Sequence, residues 1–151
     1  MIDRVMVCVD GSAHSQRALE HSREMVTRFG ASHITVIHVV PSTAIFEGMD
    51  VWRVNVMSYL DDFGKTLLKN SRESLETLDA HVESILAHGD PGSQIVKIAR
   101  DRDIDLIVMG SRGISGLASV VLGSVGERVV RNAPCSVFIV REDVEEDEDL
   151  Q

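Results

Sequence analysis

Five short apolar runs alternate with longer stretches whose apolar residues recur every three or four positions, and the first four runs each stop at an aspartate, proline or glycine. The runs cover residues 4–9, 33–40, 81–88, 106–109 and 136–140. Within them Val5, Val7, Val9, Ile34, Val36, Ile37, Val39 and Val40 leave no polar face. Continuous apolar character over so short a length predicts strands covered on both faces, as in a parallel sheet. The intervening stretches predict helices. Ala18, Leu19, Met25, Val26 and Phe29 mark one over 13–29, with Ser12 as a cap and Gly30 as its stop. Leu60, Phe63, Leu67, Leu68, Ser71, Leu75 and Leu78 share one face of a long helix over 57–78. Asp90 and Pro91 open a third helix, whose inner face carries Ile95, Ile98 and Ala99. A last helix runs from near 123 to about 132. Residues 42–56 have no clean period, although they carry Phe46, Met49 and Trp52. That segment is left open between capping a pocket, packing on the long helix and touching a second subunit. Strictly alternating strands and helices define an α/β fold with a parallel sheet.

A chain of 151 residues, 44% hydrophobic and 26% charged, suits one domain with a real core. No apolar run approaches the ~20 residues that cross a bilayer. The first residues lack the pattern of a signal peptide, so a cytoplasmic protein is expected. The formal charge of −9 is unevenly placed, because seven of the 24 acids follow Arg141. The remainder, 17 acids against 15 bases, is close to neutral. We therefore expect one domain over 1–141 and an acidic, disordered tail over 142–151. A near-neutral body argues against nucleic-acid binding, which needs a basic face. Cys8 and Cys135 lie in or beside apolar strands and read as buried thiols. The six histidines show no metal-ligand spacing.

The candidate chemistry sits after the fourth strand. Gly110-Ser111-Arg112-Gly113 is followed by nine residues and then by Gly123-Ser124, where the last helix begins. Glycines let a ligand approach the main chain, and amides in such a turn backed by a helix N-terminus form a site for phosphate. Taken alone, the glycines also suit a plain strand-to-helix loop. After the first strand comes Asp10-Gly11-Ser12, which suits a turn and cap. Asp10 is equally able to accept from an exocyclic amine or a ribose hydroxyl, or to help hold a metal. In an open doubly wound sheet the two loops would meet where the strand order reverses.

These residues resemble the universal stress proteins, in their ATP-binding branch, over almost the whole chain. The resemblance rests on Val9-Asp10-Gly11-Ser12, His38-Val39, Gly89-Asp90-Pro91, Val108-Met109-Gly110-Ser111-Arg112-Gly113, Gly123-Ser124-Val125 and Ala133-Pro134-Cys135-Ser136-Val137. It implies an open five-stranded parallel sheet in the order 3-2-1-4-5 with helices on both faces, a Rossmann-like fold related to the adenine nucleotide alpha hydrolases. It also implies an ATP molecule in the crevice, with Mg2+ arriving on its phosphates. Asp10 with Gly11 and the backbone of Val39 would face the adenine end. Met109, Gly110, Arg112 and Gly113 would lie along ribose and phosphates, and Gly123, Ser124 and Val125 would hold the phosphate tail. A homodimer through strand 136–140 is implied as well, and the bare apolar edge there agrees.

No Walker A lysine is present, and the 110–124 loop has no carboxylate to orient water. The expected function is a nucleotide-dependent regulatory or stress-response module. The alternative is a slow ATPase or a phosphotransferase acting on its own Ser111, Ser115 or Ser124. His14 reads as an exposed helix residue.

Overall fold

The computed structural model describes residues 1–41, 50–112 and 122–141, with the backbone alone for 50–54. The elements are β1 (Arg4–Cys8), α1 (Ala13–Phe29), β2 (His33–Pro41), α2 (Asp50–Leu75), β3 (His81–Gly89), α3 (Pro91–Asp101), β4 (Leu106–Gly110), α4 (Ser124–Asn132) and β5 (Ser136–Val140). The strands form one sheet in the order β3-β2-β1-β4-β5. Every pairing is parallel, with Val7 opposite Val36 on one side and Val108 on the other. This is the expected doubly wound sheet.

The pleat of β1 explains how one strand serves two cores. Val5, Val7 and Val9 point to the layer formed with Ala18, Leu19 and Val26 of α1 and Leu68 and Leu75 of α2. Met6 points the other way, into a second layer with Ile95 and Ala99 of α3 and Val129 of α4. Both layers are dry at the centre: Met6, Val5, Val7, Ile107 and Val108 are fully buried. The outer strands differ from the expectation of complete cover. Much of β3 is half-buried, and Ser136 and Phe138 of β5 are exposed. Each has a sheet neighbour on one side only, so the helical layers close less completely over it.

The long helix begins at Asp50, well before the expected residue 57. Val51, Trp52 and Val54 interrupt the period there, yet once the turns beyond are formed, extending a helix backwards costs little. It ends at Leu75, and Leu78 still packs against the first core layer. The helix ends follow local chemistry. Ser12 caps α1 by accepting from the Ser15 amide, Gly30 closes it at φ 66°, and Asp90 caps α3 by accepting from the Ser93 amide.

Three carboxylates fasten the ends of these elements. Asp105 accepts from the Asp3 and Arg4 amides at 3.0 and 2.9 Å, joining the approach to β4 to the start of β1. Asp3 accepts from the Ser32 amide at 2.9 Å, and Asp90 from Ser93 at 2.9 Å with Arg128 at 3.3 Å. Each pKa is lowered from 3.8: by the Asp3 and Arg4 amides at Asp105, by Ser32 at Asp3, and by Ser93 at Asp90. A lowered folded-state pKa contributes stability above 3.8 and loses it as pH falls through the folded value. Denaturant midpoints should therefore hold from neutrality to about pH 5 and decline below it. Asp105→Asn should flatten that acid limb, and an unchanged limb would remove Asp105 from the account.

Candidate functional site

The strand order reverses between β1 and β4, and a cavity of about 610 Å³ opens beyond their carboxyl ends. That size suits a small organic ligand. Its polar side is built from Gly110, Ser111 and Arg112 after β4 and from Gly123, Ser124, Val125 and Gly126 at the start of α4. The rest of the lining is mostly apolar, from Ile37, Val39, Val40 and Pro41 of β2, Leu60 and Phe63 of α2, and Ile95 of α3, with His38 among them. Asp10, Ser15 and Cys8 connect the two along the top of β1 and the start of α1.

Of the residues expected to contact a ligand, Asp10, Val39, Met109, Gly110, Arg112, Gly123, Ser124 and Val125 line this one cavity. Gly11 does not. It is exposed, at φ 85°, and a Cβ there would lie 2.8 Å from Cζ of Phe63. Gly113 lies outside the described residues, as do the side chains around Trp52 and the acidic tail. Asp10 performs the turn that Asp-Gly-Ser suggests, its Oδ1 accepting from the Ser12 amide at 2.9 Å, and lines the cavity as well.

The turn after β4 is held by main-chain bonds. The Ser111 amide donates to the Val140 carbonyl at 2.9 Å, and the Gly123 amide donates to the Ser111 carbonyl at 2.8 Å. The second bond brings the first turn of α4 against the β4 terminus. Gly123 is the N-cap of α4 and supplies no side-chain bond, in contrast to Ser12 on α1 and Asp90 on α3. The helix thus presents its leading amides and the positive end of its dipole to the cavity.

Two histidines hold positions that the sequence did not reveal. His14 is half-buried, with Nδ1 3.2 Å from the hydroxyl of the buried Ser111, so it is not the exposed residue expected. His38, 8% exposed, places Nδ1 2.8 Å from the Val9 carbonyl and its ring edge-on to Phe63 at 6.0 Å. A partner 29 residues away leaves no local spacing to find. Cys8 is a quiet thiol: burial first, and the charge of Asp10 second, push its pKa up to about 12. Among the described residues no cluster of three His, Cys, Asp or Glu could hold a metal, and no helix is long and apolar enough to cross a membrane.

A five-stranded doubly wound sheet with a ligand-sized cavity at its switch point defines the class: an open α/β domain built on the Rossmann plan. The sequence model of the Universal stress protein family matches residues 1–141, and the chain belongs to that family. It is 31% identical to universal stress protein YxiE of Bacillus subtilis, with 93% of this chain and all of that protein covered. Among solved structures, universal stress protein UspA from Lactobacillus plantarum superposes with a TM-score of 0.84 at 26% identity, covering 92% of this chain and 97% of that one. A universal stress protein from Archaeoglobus fulgidus in complex with dAMP shares the fold with a TM-score of 0.63 at 22% identity, over 93% and 98% of the two chains.

Proposed function

We propose that the chain is an ATP-binding universal stress protein, a regulatory module whose bound nucleotide biases conformation or partner choice. One observation carries this reading: of the three helices whose N-caps are described, α4 alone has no side-chain cap, and its first residues, Ser124, Val125 and Gly126, line the cavity together with apolar residues of β2 and α2. The leading amides of α4, with the hydroxyl of Ser124, suit a phosphate tail. The apolar side suits adenine, with Asp10 between them for a ribose hydroxyl or an exocyclic amine. The fold relative solved with dAMP supports the ligand class. Among the described lining residues Asp10 is the single carboxylate. A magnesium ion fits there as the phosphates' companion, held mostly by their oxygens and by water.

Two features support binding rather than turnover: among the described residues no lysine lines the cavity, and Asp10 is their single carboxylate. The pairing of Ser111 with His14 favours a second reading, slow phosphoryl transfer to Ser111. Labelled ATP in a single turnover, followed by peptide mapping, separates the two.

We also propose a homodimer through β5. Among the described residues this strand pairs only with β4, and its Phe138, beside the His21 ring on the α1 face, is 38% exposed. Calorimetry should show ATP binding at micromolar to millimolar concentration, and sedimentation should give a dimer. Folded protein that ignores ATP and Mg2+ at millimolar concentration would overturn the nucleotide reading, and a monomer would overturn the dimer.

A further inference from the structure

We infer that Phe63 of α2 is the aromatic wall against which the cavity takes a planar base, and so the residue that makes it select a nucleotide over a bare polyphosphate. The inference rests on the adenine-nucleotide reading above and assigns to α2 a role in it. Most of the apolar face of α2 is spent on the first core layer, where Leu68 and Leu75 are almost fully covered. Phe63 lies further towards the carboxyl ends of the strands. Its ring remains 38% exposed and lines the cavity with Leu60, Val39 and Pro41.

That open ring is held in place from two sides. Its Cζ occupies the space beside Gly11, where a Cβ would come within 2.8 Å. The edge-on ring of His38 supports it at 6.0 Å, and His38 is itself fixed to the Val9 carbonyl at 2.8 Å. Gly64, the next residue, lets α2 settle onto β2 and β3, since a Cβ there would lie 2.7 Å from Leu86 Cδ1 and 2.8 Å from His38 Cδ2. An apolar ring already ordered loses little entropy when a second ring packs on it. Base-to-aromatic packing is sequence-tolerant and substantial. Phosphates draw nothing from such a surface and are served at the opposite side, by the β4 turn and α4. The cavity therefore divides its ligand, with ring recognition on α2 and charge recognition on α4.

The test compares ATP with inorganic tripolyphosphate, by calorimetry, on wild type and on Phe63→Ala and Phe63→Leu. Phe63→Ala and Phe63→Leu should each weaken ATP about tenfold or more, by the usual worth of base stacking, and leave tripolyphosphate unchanged. Phe63→Leu preserves apolar volume, so it carries the test if the alanine variant melts early. Wild-type ATP affinity in Phe63→Leu, or an equal loss for both ligands, overturns the assignment and leaves the nucleotide reading standing. A wild-type protein that binds neither ligand overturns both.

Discussion

Gly110→Ala should destabilise the protein by about 3 kcal/mol, the upper end of what overpacking a well-filled interior costs. Gly110 closes β4 opposite Val140. A Cβ there would lie 2.6 Å from the Cβ of His14, 2.8 Å from its carbonyl carbon and 3.0 Å from its carbonyl oxygen. Two of those three obstacles are main chain in the first turn of α1, so no rotamer change relieves them. Either α1 lifts or the β4 terminus drops, and each carries the hydrogen bonds of Ser111 with it. Urea denaturation should show a lower midpoint with an unchanged slope, the sign of lost stability in an intact two-state transition. ATP affinity should fall in parallel, because the displaced residues line the cavity. A loss below about 1 kcal/mol would mean that α1 and β4 are less tightly apposed than described.

Gly123→Asp should separate binding from stability. The N-cap has φ −70° and ψ 168°, which any residue adopts, and a Cβ there meets nothing closer than the Ser111 carbonyl oxygen at 3.6 Å. An aspartate can therefore cap α4 without strain. The cap is worth a few tenths of a kcal/mol over glycine, and the helix dipole adds roughly 0.3–1 kcal/mol. Thermal stability should hold or rise. The same carboxylate would occupy the leading amides of α4 and place a negative charge beside incoming phosphates. ATP affinity should drop at least about tenfold, equivalent to 1.4 kcal/mol. Gly123→Ser, a cap without charge, should lose much less. A stable Gly123→Asp protein that binds ATP normally would exclude α4 as the phosphate subsite.

What the sequence disclosed was mostly local. Ser12, Gly30, Asp90 and Pro91 act at helix ends through neighbours within five residues, and composition alone marks them. The apolar Val5–Val9 stretch and the largely apolar Ile34–Val40 stretch, which includes Thr35 and His38, report burial on two faces, the usual state of strands in a parallel sheet. The glycine spacing after β4 led to the residues that now stand at one cavity. What stayed hidden depends on distant partners. Periodicity shows which face of α2 is apolar, but not that Phe63 reaches past the core onto the β1–α1 turn. Gly11 reads as a ligand contact within its motif, whereas its geometry answers to a positive φ and to a ring from α2. His14 joins Ser111 across 97 residues, and no pattern in either neighbourhood announces it. The early start of α2 was obscured because Val51, Trp52 and Val54 do not favour helix on their own.

The thiol at the floor of the cavity has a consequence for oxidative chemistry. Peroxides and alkylating agents attack the thiolate, and a group whose pKa is about 12 holds almost none of that form at neutral pH. An oxidant able to diffuse into the crevice would meet Cys8 almost wholly as the protonated, slowly reacting thiol. If the crevice holds a nucleotide as proposed, mild peroxide treatment should leave that binding unchanged.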